Sequence, residues 1–311
     1  MTTPLFKVIK PGLQTTVQDL GRYGFQRFGI SPSGAMDTYS LEIANLLVGN
    51  PLGEAALEAT LIGPKLEALT NVSIAICGGN LSPRIDGQEV MMWKSIKINK
   101  GQVLSFGACK EGGRVIISVA GGIDVPIVLG SKSTFLNGGF GGYEGRALNE
   151  GDILFGTPIT RKNRFVHGDL IPKYEKNITV RVILGPHLDH FRPEAIKTFL
   201  NEEYTITSQS NRMGYQLSGA KLEHRSGADI ISDAIPLGGI QVPASGQPII
   251  LMAERQTTGG YARIGTVVSV DIPLLAQAIP GSRVRFVEIP LEDLPVVSDV
   301  NVRILAKICR I

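Results

Sequence analysis

Ile178-Thr179-Val180-Arg181-Val182-Ile183-Leu184 carries the clearest alternation in the chain, with Ile178, Val180, Val182 and Leu184 on one side and Thr179, Arg181 and Ile183 on the other. Successive side chains of a strand point to opposite faces, so this period of two predicts a strand with one face in a core. Working outward, residues 72–77, 102–106, 114–120, 248–252, 266–270 and 283–287 read as further short strands, most of them bounded by glycine or proline. Strands this dense, with turn signals between them, predict a mainly β fold with a few helices. They favour closed or sandwiched sheets over βαβ units.

Helices are expected in three places. Asp37 or Thr38 caps residues 39–48, where Leu41, Ala44 and Val48 share a face and Gly49-Asn50-Pro51 stops the helix. Pro193 opens a second, with Ile196, Phe199 and Leu200 on one face. Ile304, Leu305, Ile308 and Ile311, interspersed with Arg303, Lys307 and Arg310, predict a third. The stretch 160–176 is polar, charged and proline-bearing, which places a boundary between a lobe of residues 1–165 and one of residues 166–311.

At 311 residues, with 43% hydrophobic and 19% charged side chains, the chain is long enough for two cored lobes. Its 37 glycines, grouped as in Gly138-Gly139-Phe140-Gly141-Gly142, predict many tight turns. A net charge of +3 from scattered Lys and Arg gives no footprint for a nucleic acid. No apolar run approaches the roughly 18 residues of a membrane span, and the first seven residues lack a signal-peptide pattern. A cytoplasmic protein without membrane partners is expected. Cys77, Cys109 and Cys309 are far apart and free of Cys-x-x-Cys spacing, so they read as reduced thiols.

Familiar catalytic signatures are missing. Gly130-Ser131-Lys132-Ser133 falls short of a phosphate loop, because the lysine does not follow the glycine directly. There is no nucleophile elbow, no dinucleotide fingerprint and no biotin-carrier lysine between methionines, so no biotin is expected on this chain. His187 and His190 flank Asp189, but a third ligand is not evident, and no metal site is predicted.

Two blocks are too polar and too glycine-rich for a core. The first, residues 11–37, sets Gln18, Asp19, Arg22, Ser33 and Asp37 among turn glycines and ends at a helix N-terminus, where free N–H groups favour anions. An equally good reading has Asp19 and Arg22 as an ion pair tying down the N-terminal strand, and Asp37 as a simple cap. The second comprises Ser208-Gln-Ser-Asn211-Arg212-Met213-Gly214-Tyr215, Gln241-Val-Pro243 and Arg255-Gln256-Thr257-Thr258-Gly259-Gly260-Tyr261. Its amides, hydroxyls and guanidinium suit a small ligand bearing a carboxylate and an amide. A buried polar network that holds loops together is the competing explanation.

Gln18-Asp19-Leu20-Gly21-Arg22, Ser208 to Tyr215, Gln241 to Pro243 and Gln256 to Tyr261 together resemble the allophanate-hydrolase-subunit-2 family, also called the biotin-dependent carboxyltransferase family. The resemblance runs from about Val8 to Phe286, and within the family it is greatest to the 5-oxoprolinase branch. It implies two cyclophilin-like β-barrel lobes and a heteromeric complex with two partner chains, one of KipI type (B) and one of LamB/YcsF type (A). It also implies ATP with Mg, held here or on a partner, and conversion of 5-oxo-L-proline to L-glutamate. Carried onto this sequence, it makes Asp19, Asn211 and Arg212 the expected catalytic residues. Arg22, Asp37, Gln241, Gln256, Thr257, Thr258 and Tyr261 are the expected substrate-binding residues, with the 19–37 block completing the pocket from the other lobe. Glu254 departs from the aspartate or small polar residue expected before Gln-Thr-Thr, which argues against a direct ligand role there. Three other functions remain open: a carboxyltransferase for urea or another amide, a non-catalytic binding partner of a KipI-type kinase inhibitor, and a cyclophilin-like prolyl isomerase.

Overall fold

The computed structural model describes residues 2–161 and 163–294. The helix expected over 304–311, and Cys309, lie outside the described residues. Two compact units emerge: residues 24–32 group with the second unit, which takes over from Glu175, while the first holds residues up to Tyr23 and Ser33–Tyr174.

In the first unit, strands Val72–Asn80 and Glu111–Val119 are buried on both faces, and this organises everything around them. Val72, Ile74 and Ile76 of one strand, with Val115, Ile117 and Val119 of the other, enter a core shared with Leu5, Phe6, Val8, Leu66 and Leu104. The alternate residues Ala75, Cys77, Ile116 and Ala120 turn to the opposite face, where they meet Leu41, Ala44, Leu47 and Val48 of helix Thr38–Val48. Period-two alternation thus survives, but both faces are apolar, so a sheet-to-sheet core lies on one side and a helix on the other. The first core joins a five-stranded sheet, ordered 14–18, 56–60, 111–119, 72–80, 95–98, to a six-stranded one, ordered 153–156, 3–10, 65–68, 103–105, 84–85, 88–89. Asp37 caps the helix by accepting from Ser40 N at 2.9 Å, and Gly49 ends it in the left-handed conformation.

The second unit is a closed seven-stranded barrel, ordered 177–184, 263–267, 239–241, 249–251, 214–218, 204–206, 283–288. An odd ring of strands cannot alternate throughout, and the one parallel pair, Asn177–Leu184 beside Arg283–Glu288, closes it. Ile178, Val180 and Val182 are buried as their alternation predicts. Helix Pro193–Asn201 lays Phe199 flat on Phe286, with ring centroids 4.4 Å apart, and buries Ala195 where the sequence pointed to Ile196.

The strand expected over 266–270 instead spans Arg263–Val267, and residues Ser269–Asp271 turn into a 3-10 helix. The cause is Asp271, whose carboxylate accepts from Arg181 N at 2.8 Å and from Arg181 Nε at 2.9 Å, drawing the chain out of the sheet. The five-residue helix Ile272–Ala276 that follows has no counterpart in the sequence reading.

Phe199→Ala is predicted to cost about 3–5 kcal/mol through the cavity left against Phe286 and Tyr204. Chemical denaturation followed by a probe in the second unit checks this. A loss under about 1 kcal/mol would show that the helix does not anchor on the barrel.

Candidate functional site

In the second unit the polar motifs divide into buried struts and exposed side chains. Arg212 and Glu254 are each about 3% exposed and are joined by an Nε-to-Oε1 contact of 2.7 Å. Backbone bonds Glu254 N to Arg212 O at 2.8 Å and Met252 N to Met213 O at 2.9 Å run beside the pair. The longer acid at 254 is therefore what reaches the arginine. Arg255, also buried, donates from Nε to the Ile235 carbonyl at 3.0 Å, tying in a third segment. Gln241 is buried too, and its Nε2 donates to the Tyr261 carbonyl at 3.3 Å. Gly259 packs closely beside it: a Cβ there would lie 2.6 Å from Gln241 Nε2 and would displace that amide.

From these struts rises a two-stranded ribbon, Asp229–Ala234 paired with Thr258–Tyr261. Gln256, Thr258 and Tyr261 are exposed, Thr257 is half-buried, and Ile231 on the facing strand is 96% exposed. Asn211 is exposed; its Oδ1 accepts from Met213 N at 2.8 Å, which leaves its amide N–H groups outward-facing donors. The candidate site residues of this unit are thus two sets: Asn211, Gln256, Thr257, Thr258 and Tyr261 at the surface, and Arg212 and Gln241 beneath.

Asp19, Arg22 and Asp37 lie in the first unit. Asp19 accepts from Ser131 Oγ at 2.7 Å, Ser133 Oγ at 2.5 Å, Gly21 N at 2.7 Å and Lys132 N at 2.6 Å. Three of these donors converge on Oδ1, and the fourth, Lys132 N, reaches Oδ2. Arg22 is buried, donates from Nη2 to the Ser133 carbonyl and lies over the Phe140 ring, 5.0 Å from its centroid. The near-miss phosphate loop therefore has its own occupant. Both serine hydroxyls and the Lys132 N–H turn onto Asp19, while Lys132 Nζ reaches Glu54 at 2.7 Å. That loop does not fit a triphosphate. Among the described residues no group of three His, Cys, Asp or Glu is arranged to hold a metal ion. His187 instead accepts from Arg263 N through Nδ1 at 3.2 Å and starts the short 3-10 turn Leu188–His190.

Asp37 is fully buried and accepts from Ser40 Oγ at 2.6 Å, with Tyr174 Oη at 3.4 Å. Burial, with the Asp37 and Cys77 charges adding to it, pushes Tyr39 up to about 12, and the same surroundings raise Cys77 and Tyr174. This carboxylate serves the helix and its neighbours. The first unit also holds a cleft of about 340 Å3, lined by none of the residues singled out in the sequence. Asn80, Ser82, Trp93, Lys110 and Glu111 line it. The local signal that could have marked it is Met91-Met92-Trp93, an apolar run holding the chain's single tryptophan.

Gly141 separates packing from strain in the Asp19 network. A Cβ there would sit 2.2 Å from the Ser133 carbonyl and 2.6 Å from Arg22 Nη2, whereas at Gly139, which also has positive φ, it would meet nothing within 4 Å. Gly139→Ala is expected to cost about 1–2 kcal/mol from backbone strain alone. Gly141→Ala should cost roughly 1–3 kcal/mol more through overpacking. Equal thermal shifts for the two variants would mean that the Ser133–Arg22 contact is not needed.

Comparison with known proteins adds the lineage. Residues 28–288 match the family described as the carboxyltransferase domain, subdomains A and B. The chain is 40% identical to the Escherichia coli protein named as the C subunit of 5-oxoprolinase, over 93% of both chains. It is 35% identical to Saccharomyces cerevisiae urea amidolyase over 92% of this chain but 17% of that one. The solved structure of Kluyveromyces lactis urea amidolyase superimposes with a TM-score of 0.93 at 32% identity, covering 99% of this chain and 20% of that one. The motif set, the strand-rich fold and these matches agree, and the chain belongs to the carboxyltransferase-domain family.

Proposed function

We propose that this chain is the C subunit of an ATP-dependent 5-oxoprolinase, working with its KipI-type and LamB/YcsF-type partners to open 5-oxo-L-proline to L-glutamate. The observation that carries the reading is the 40% identity to a protein of that name over 93% of both chains. A five-membered lactam resists hydrolysis because amide resonance opposes attack and the ring nitrogen leaves poorly. ATP supplies activation of the lactam oxygen, and we assign its site to a partner chain.

The residues of this chain bind and orient. Asn211 and Gln256 offer amide donors and acceptors to a lactam, Thr257 and Thr258 offer hydroxyls, and Tyr261 offers an aromatic face. Arg212 acts through Glu254 to fix the loop that carries Asn211, and Gln241 fixes Tyr261 through its carbonyl. No proton transfer is routed through Asp19, whose oxygens hold the 131–133 loop and the turn at Gly21. Asp19, Arg22 and Asp37 hold the first unit's loops and helix.

A carboxyltransferase acting on urea or another amide is the second reading, favoured by the likeness to urea amidolyases. In that case turnover would require a biotinylated partner and would be blocked by avidin.

With both partners present, omitting this chain should abolish 5-oxoproline-dependent phosphate and glutamate release. Gln256→Ala should lower kcat/KM about ten- to a hundred-fold, the loss of one or two hydrogen bonds to substrate, with its melting temperature unchanged. Full turnover by the partners alone, or avidin-sensitive turnover with urea in place of 5-oxoproline, would overturn the assignment.

A further inference from the structure

The cleft of the first unit has the features of a built site, and it belongs to no part of the function proposed above. Residues 78–83, 89–93, 110–111 and 171–174 all contribute to its wall. Two of its lining residues, Ser82 and Trp93, hold the left-handed backbone conformation at φ of 52° and 58°. For a bulky residue such as tryptophan this is costly and persists only where the surroundings impose it. Here they do: Trp93 N donates to the Ile76 carbonyl at 2.8 Å, and the Trp93 carbonyl accepts from Val166 N at 3.0 Å.

One wall is apolar, made by Val90, Met92, Trp93, Ile171 and Pro172, and methionine adapts readily to a guest of irregular shape. The rest presents polar groups with capacity to spare. Asn80 Oδ1 accepts from Ser82 N at 2.9 Å, which leaves its amide N–H groups as donors. Lys110 Nζ makes a long contact of 3.4 Å with Glu89, both side chains being more than half exposed, so the pair is weak and exchangeable. Glu89 also meets Arg84 at 3.5 Å, so its charge is shared between two cations. Glu111 is different: one carboxylate oxygen accepts from Tyr174 N at 2.7 Å, and the other has no partner among the described residues.

We propose that this cleft binds a free α-amino acid with an apolar side chain, its carboxylate taken by Lys110 and Asn80 and its ammonium by Glu111. The apolar body lies along Met92, Trp93 and Ile171. A ligand with an anion alone would leave Glu111 unmatched, and one with a cation alone would leave Lys110 unmatched. The zwitterion satisfies both. 5-Oxo-L-proline, a lactam without an ammonium group, does not meet this requirement, which keeps the cleft distinct from the motif surface of the second unit.

Titration calorimetry of the full chain with L-leucine, 4-methylpentanoate, 3-methylbutylamine and 5-oxo-L-proline tests the assignment. Leucine is expected to bind saturably at or below about 1 mM. The two single-charge analogues and 5-oxoproline should bind at least about tenfold more weakly, since each lacks a charge-assisted contact. Glu111→Gln retains an acceptor for Tyr174 N and should weaken leucine by a similar factor, as should Lys110→Met. Equal binding of leucine and its two analogues would reduce the cleft to an apolar patch, and no saturation by leucine up to about 10 mM would overturn the proposal. The analogue series uses the unaltered chain, so the result does not depend on either variant folding.

Discussion

An arginine and a glutamate almost sealed from water must stay together, and the second unit depends on that constraint. Arg212 and Glu254 stand 42 residues apart in sequence, and their side chains keep 4% and 2% of their surface. Removing charges from water costs several kcal/mol per ion, so a buried pair is stable only while both partners remain in place. Each partner sits in a loop beside a short strand, where the sheet ladder alone does not fix the chain. The pair supplies the missing restraint: it locks residues 211–214 to residues 252–255, and Arg255 extends the lock to Ile235. The ribbon that presents Thr258 and Tyr261 grows directly out of these locked segments.

The first unit solves the same problem with a carboxylate and hydroxyls. Asp19 gathers the loop 131–133 and the turn at Gly21, and the Ser133 carbonyl passes the restraint on to Arg22. In both units the polar residues that look most reactive in sequence are the ones that replace secondary structure. The groups exposed to meet a ligand are their less conspicuous neighbours: the Asn211 and Gln256 amides, the Thr258 hydroxyl on the ribbon, and Lys110 and Glu111 in the lining of the cleft.

This division decides what could be read from the sequence. Residues 178–184 declared a half-buried strand because side-chain alternation is local, and Asp37 declared a cap because its acceptor lies three residues from Ser40 N. The turn at 269–271 was hidden, since it depends on Asp271 meeting Arg181 ninety residues away. The short helix Ile272–Ala276 offers too few turns for a periodic signal and carries Pro273 inside its span. The motif residues were legible as a polar set, but their sorting into struts and contacts was not, because nothing in Ser208 to Tyr215 points to Glu254. Glu254 itself stood out as too long for its place, and the arginine it reaches is the physical reason. The cleft was hidden for a related cause: four separated segments assemble it, and only Met91-Met92-Trp93 among them is unusual alone.

Arg212 and Glu254 require each other, and a double-mutant cycle measures that requirement directly. Arg212→Met and Glu254→Met should each lose about 3–5 kcal/mol of stability, because each leaves a buried charge without its partner. The double variant should lose far less than the sum, since it removes both charges together. Two small, additive losses of under about 1 kcal/mol each would show that water or other groups satisfy these charges, and that the pair does not hold the site's loops in place.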